Sequence, residues 1–184
     1  MDGTDRTRVV PDRLAHVVLR TRQLEPMLAW WSTVLEADVV FRNDFIAFLT
    51  FDDEHHRVAI VCPPEVADPV ATSAGLDHVA FTYATLGDLV ATYERLRAQG
   101  IEASWVVNHG PTLSAYYCDP DGNRAELQVD RFATNEEATQ FLRSQAFARH
   151  PVGHSVDFDD LARRFHAGED PVALTAYRYD HEND

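Results

Sequence analysis

Cysteine is scarce in this chain: Cys62 and Cys118 are the only two among 184 residues. Two thiols make a poor disulfide framework, and nothing in the pattern points to export. Basic side chains are also few. Sixteen Lys and Arg stand against 30 Asp and Glu, a formal net charge of −14. A nucleic-acid partner normally meets a basic face, and an anionic bilayer attracts basic clusters, so neither partner is expected. Solubility is the simplest use of the acidity. No apolar run approaches the ~20 residues that cross a bilayer. Met1 to Arg8 is polar and lacks the apolar stretch of a signal peptide. A cytoplasmic protein is the expectation.

Apolar residues make up 45% of the chain, enough for one well-packed domain or two small halves sharing a core. Arg13 to Leu19 reads as a strand. Pro26 suits the first turn of a helix, and Met27, Leu28, Trp30, Trp31, Val34 and Leu35 give that helix an apolar face. Strands are expected at 37–41, 45–51 and 57–62, before Pro63-Pro64 ends the run and 65–73 links onward. The order then recurs. Leu76 to Tyr83 reads as a strand, and Thr85 with Asp88 frames a helix start in the manner of a capping box. Leu89, Val90, Tyr93 and Leu96 line that helix, and Gly100 ends it. Strands follow at 101–107, 113–118 and 124–129, the last two joined by the turn Asp119-Pro120-Asp121-Gly122.

The two passages echo each other at a spacing of 62 residues. Leu14-Ala15-His16-Val17 matches Leu76-Asp77-His78-Val79, Leu24 falls on Leu86, Leu28 on Val90, and Trp31 on Tyr93. Such an echo implies two copies of one unit, each too small to close a core alone. The expected architecture is α+β: a flexible arm over 1–10, βαβββ modules over 11–65 and 74–130 forming one compact domain, and a helical C-terminal extension over 131–184. In the extension, Thr134 and Glu137 form a capping box for a helix running to about Ala148. Asp157 to His166 reads as a further helix stopped by Gly168, and the polar end from Tyr177 is expected to fray.

Two imidazoles at repeat-equivalent positions, His16 and His78, and a carboxylate on the last strand, Glu126, can supply three ligands to a metal ion and leave positions open. One histidine on a strand is more often a packed or surface residue; the repeat and the carboxylate together favour the metal. Alternation puts Arg124, Glu126 and Gln128 on one face of their strand, which is either solvent or the pocket side of a curved sheet. Trp30 and Trp31 read as core or subunit contact. His150, His154 and His166 read as surface or tail residues, unless the tail folds over the pocket and brings one in.

The segment from Asn108-His109-Gly110 through Tyr116-Tyr117-Cys118-Asp119-Pro120-Asp121-Gly122-Asn123-Arg124-Ala125-Glu126, together with Asp157-Phe158-Asp159-Asp160-Leu161, carries a family resemblance. Over roughly residues 12–130 the chain resembles the vicinal oxygen chelate superfamily of glyoxalases, bleomycin-resistance proteins and type I extradiol dioxygenases. Within it, the chain is similar to the small one-domain dioxygenases that open biphenyl-diol or catechol rings. The resemblance implies two βαβββ modules curving a mixed sheet around a metal cleft. It places the metal triad on His16, His78 and Glu126. Near Ala59 to Cys62, where the first module would need its own carboxylate, none stands, so one metal per chain is implied. His56 resembles a pocket histidine that moves protons, although His55 could take that role. His109 resembles a substrate-contacting histidine, and Tyr116 a tyrosine that hydrogen-bonds substrate.

The implied cofactor is Fe(II), with Mn(II) able to accept the same ligands. The implied substrates are an aromatic diol and O2, and a homodimer is expected. Two other readings fit the scaffold, because fold alone does not set chemistry. One is an isomerase or lyase using a divalent ion as a Lewis acid. The other is a non-catalytic binder of an aromatic ligand, which typically lacks the triad.

Overall fold

The computed structural model describes residues 8–68, 70 and 72–177. Most of the expected N-terminal arm, and the frayed end from residue 178, lie outside the described residues. The chain is mixed α+β, with two sheets that each combine parallel and antiparallel strands and do not close into a barrel, followed by C-terminal helices. It divides into two compact units, Met1–Asp68 and Pro69–Asp184.

The first unit holds β1 (Val17–Arg20), α1 (Leu24–Leu35), β2 (Asp38–Arg42), β3 (Ile46–Thr50) and β4 (Val58–Val61). Strand order is β1-β4-β3-β2, with β1 parallel to β4 and the other pairs antiparallel. The parallel pair needs a crossover, and α1 lies within it. Pro26 sits in the first turn of α1, as its missing N–H allows. Met27, Trp31 and Val34 project every three or four residues from one side of α1 and are fully buried, as are Ala47 and Leu49 of β3 and Ile60 of β4. The two-residue period of β3 turns Ala47 and Leu49 into this core and leaves Phe48 on the opposite face. The core thus fixes which way Phe48 points.

The second unit repeats the plan with β5 (His78–Tyr83), α2 (Leu86–Ala98), β6 (Trp105–Asn108), β7 (Thr112–Cys118) and β8 (Arg124–Asp130). Thr85 caps α2 by accepting from the Asp88 N–H at 3.1 Å, and the Asp88 carboxylate accepts from the Thr85 N–H at 3.0 Å. Asp119 builds the β7–β8 turn by accepting from the Asp121 and Asn123 amides at 3.0 and 2.8 Å. Beyond β8 come α3 (Asn135–Leu142), α4 (Gln145–Arg149), β9 (His154–Ser155), α5 (Phe158–His166) and α6 (Pro171–Leu174). The five-stranded sheet runs β5-β8-β7-β6-β9.

Several expectations change in detail. His16 stands immediately before β1 rather than inside a strand. The strand expected over 101–107 begins only at Trp105. The helix expected from Thr134 to about Ala148 is two helices. Ser144 adopts an extended backbone and its hydroxyl accepts from the Phe147 N–H at 3.2 Å, so a new helix starts there. β9 and α6 carry too little periodicity to be seen in sequence; β9 exists because it pairs with β6.

Candidate functional site

In the second unit a line of registered residues crosses the sheet. Trp105 pairs with Tyr116, Tyr116 with Glu126, and Glu126 with Ala80. His78 lies two residues before Ala80, on the same face of β5. Strand pairing therefore gathers residues 78, 105, 116 and 126, which no sequence window contains. Glu126 is only 5% exposed although its strand neighbours Arg124 and Gln128 are half-buried. The polar face of β8 is thus the enclosed side at its centre, which alternation alone left open.

His78 Nε2 stands 2.9 Å from Glu126 Oε2. The other ring nitrogen, Nδ1, stands 2.7 Å from Asp77 Oδ2, and the Asp77 carboxylate is also paired with Arg124. A carboxylate behind the distal nitrogen of an imidazole is the usual way to orient a metal-binding histidine. The donor spacing also suits an ion. Two donors each ~2.1 Å from one octahedral cation, at right angles, stand ~3 Å apart. The guanidinium of Arg124 lies 5.7 Å from the centre of the Tyr116 ring, which joins this support to the next residue of the cluster.

Tyr116 is 3% exposed, and its hydroxyl lies 2.9 Å from His109 Nε2. Burial, followed by the nearby Glu126 carboxylate, pushes the phenol well above its ordinary pKa, with Arg124 opposing. Tyr116 therefore keeps its proton at neutral pH and serves as a hydrogen-bond donor. Trp105 stacks on Tyr116, with ring centres 5.2 Å apart, and meets His109 edge-on at 5.6 Å. His109 Nε2 is 3.9 Å from Glu126 Oε1. Asp77 and Arg124, the support of His78, also line an open depression of about 860 Å³ together with Leu76 and Asn123.

The His109-Gly110 turn holds His109 at the end of β6. His109 N–H donates to Thr112 O at 2.9 Å, and Gly110 has φ +97°. A Cβ at residue 110 would sit 2.3 Å from the ring of Phe141. Gly110→Ala is therefore expected to destabilise the protein by about 1–3 kcal/mol through left-handed backbone strain and displacement of that ring. A urea midpoint unchanged from wild type would refute this account.

In the first unit His16 and His56 lie together, with ring centres 4.3 Å apart. His56 stacks on Phe48 at 4.6 Å, the residue that β3 turns away from the core. His55 Nδ1 is 2.6 Å from His56 Nδ1, but the His55 side chain is 70% exposed. Of the adjacent pair, His56 is thus the one beside His16. Burial, then the neighbouring His16 and His55, push its pKa below the ordinary imidazole value, with Glu54 opposing. His56 is accordingly neutral near pH 7 and able to accept a proton.

The six residues singled out in the sequence thus fall into two groups, His16 with His56 and His78 with His109, Tyr116 and Glu126. Among the described residues of neither unit do three His, Cys, Asp or Glu side chains form a group that could hold a metal. Sequence reasoning missed Asp77, Arg124 and Trp105. Asp77 had a faint signal, since it replaces Ala15 in the repeated phrase; Trp105 and Arg124 join the cluster through register. Of the tail histidines, His166 Nε2 lies 2.9 Å from Glu94 Oε1, and His154 lies in β9. Among the described residues no helix is long and apolar enough to cross a membrane.

Comparison with known proteins sets this cluster in context. The family model described as the glyoxalase/bleomycin resistance protein/dioxygenase superfamily matches residues 13–127. The chain is 48% identical, over 90% of its length and 88% of the relative, to biphenyl-2,3-diol 1,2-dioxygenase 3 of Rhodococcus globerulus. It is 42% identical, over 91% of its length and 88% of the relative, to biphenyl-2,3-diol 1,2-dioxygenase 2 of the same organism. In fold it is similar to a glyoxylase/bleomycin resistance protein/dioxygenase domain from Frankia sp. EAN1pec. That likeness has a TM-score of 0.58 at 19% identity and covers 70% of this chain and 98% of that one.

Proposed function

Because the chain belongs to the glyoxalase/bleomycin resistance protein/dioxygenase superfamily, we propose that it is an Fe(II)-dependent extradiol dioxygenase acting on a catechol-type diol, of which a biphenyl diol is one member. The observation that carries the reading is the paired donor set of His78 and Glu126, backed by Asp77 and flanked by Tyr116 and His109. One imidazole and one carboxylate suit a divalent first-row ion, and His16 is the proposed third ligand. A ligand set of two imidazoles and one carboxylate is the facial arrangement used with iron in oxygen chemistry. Such an ion supplies a common meeting point for the diol and O2 and a path for electron density from ring to oxygen.

The side chains do the rest. Tyr116 offers a hydrogen bond without adding charge, because its phenol keeps its proton. His56, neutral at working pH, takes a proton from a substrate hydroxyl and later returns it. His109 faces the same cluster through Nε2 and aligns substrate with Tyr116. The reaction breaks the ring carbon–carbon bond beside the two hydroxyls and places one atom of O2 in a carboxylate and the other in an aldehyde, or in a ketone where the cleaved carbon carries a substituent. The ring itself is the reductant, so no further electron donor is required.

The test is an anaerobically Fe(II)-loaded preparation given catechol and 2,3-dihydroxybiphenyl, followed by oxygen electrode and visible absorbance. One O2 consumed per diol, with a yellow product, is the expected result. Diol binding without oxygen uptake would overturn the proposal and favour a non-redox use of the scaffold.

A further inference from the structure

The site is supported from a part of the chain that lies beyond the second βαβββ module. The segment 150–156 returns to β6 and lies along its outer edge. Ser155 pairs with Val107 and His154 with Asn108, and the Val156 N–H donates to Val106 O at 3.1 Å. Trp105 Nε1 donates to Ser155 Oγ at 3.4 Å, and the buried Asn108 amide donates to Thr175 O at 3.0 Å. The Tyr177 hydroxyl donates to His150 O at 3.1 Å. The extension thus holds β6, the strand that leads into His109, through backbone and side-chain hydrogen bonds.

The approach is closest at Gly153. Its φ is +91°, and a Cβ there would lie 2.2 Å from Asn108 O and 2.8 Å from His109 Cα. Only a residue without a side chain can sit against this backbone. The contact aims the preceding carbonyl: Val152 O lies 2.6 Å from His109 Nδ1.

A backbone carbonyl has no proton to give. A hydrogen bond at this distance therefore requires the proton on Nδ1, and in the neutral ring Nε2 then carries the lone pair. Nε2 is the atom 2.9 Å from the Tyr116 hydroxyl and turned toward Glu126. We propose that the Val152–Ser155 segment is a positioning element for the candidate site, its Val152 carbonyl holding the His109 proton at Nδ1 so that Nε2 faces the Tyr116 hydroxyl as an acceptor. The importance of this to turnover rests on the dioxygenase reading above; the tautomer itself does not.

The experiment uses the full-length, metal-free, 15N-labelled protein. Long-range 1H–15N correlation reads each histidine tautomer, and the His109 signals are assigned by their loss in His109→Asn. In wild type, at a pH where the ring is neutral, His109 is expected as a single species protonated at Nδ1. Val152→Ala keeps the carbonyl and should leave the pattern as it is. Gly153→Ala must push the segment off β6 and should mix the two tautomers. In the Fe(II)-loaded enzyme it should lower kcat by ~10–100-fold while metal content holds. A wild-type His109 protonated at Nε2, or a folded Gly153→Ala with an unchanged tautomer, would overturn the proposal. Should Gly153→Ala fail to fold, the wild-type spectrum still decides. A protein that shows the Nδ1 tautomer yet cleaves no diol would refute the dioxygenase reading and leave this inference standing.

Discussion

His78→Ala is expected to abolish metal uptake and turnover together. The substitution removes the nitrogen that stands 2.9 Å from Glu126 Oε2 and leaves that carboxylate, 5% exposed, without its imidazole partner. With the proposed three ligands reduced to two, the remnant is expected to lose the ion on dialysis, because each lost donor takes a share of the binding free energy. The measurement is metal content after anaerobic Fe(II) loading and dialysis, beside the oxygen assay, with thermal unfolding to show that the variant is folded. Asp77→Asn makes the informative contrast. It keeps all proposed ligands but weakens the acceptor behind His78 Nδ1, so metal affinity should fall by ~10–100-fold without vanishing. Full metal occupancy in His78→Ala would dismiss this residue as a ligand.

His56→Ala should behave in the opposite way, sparing the metal while slowing turnover by ~10²–10⁴-fold, the range for a lost acid–base group. The argument is environmental. His56 lies against both the Phe48 ring and His16, and burial together with two neighbouring imidazoles disfavours its charged form. An imidazole that stays neutral near pH 7 is able to accept a proton. His55→Ala, at a side chain 70% exposed, should leave kcat within about threefold. If iron is lost with His56, or if His55 carries the rate effect, the proton-transfer role is misplaced.

The sequence is legible where the chemistry is local. The Thr85/Asp88 and Thr134/Glu137 boxes, the Asp119 turn and the start of α5 at Asp157 each satisfy their own backbone groups within four residues. The helix break at Ser144 carries no periodic signal, because the apolar pattern continues across the cap. Strand β9 is not legible in sequence because two residues have no period; its ladder partners lie on β6, some 47 residues away.

The amino-acid order alone determined the repeated Leu-x-His-Val phrase and the succession of strands and helices in the two βαβββ modules, since period, caps and turn residues act over a few positions; the roles of the six candidate site residues came with the family resemblance. Tertiary structure decided that Glu126 is enclosed, that Arg124 pairs with the Asp77 carboxylate beside His78, that His56 rather than His55 meets His16, and that a carbonyl from the tail reaches His109. Those outcomes depend on inter-strand register and on the return of distant segments. Hydrogen bonds between residues far apart in sequence carry that information, and no short stretch of side chains encodes it.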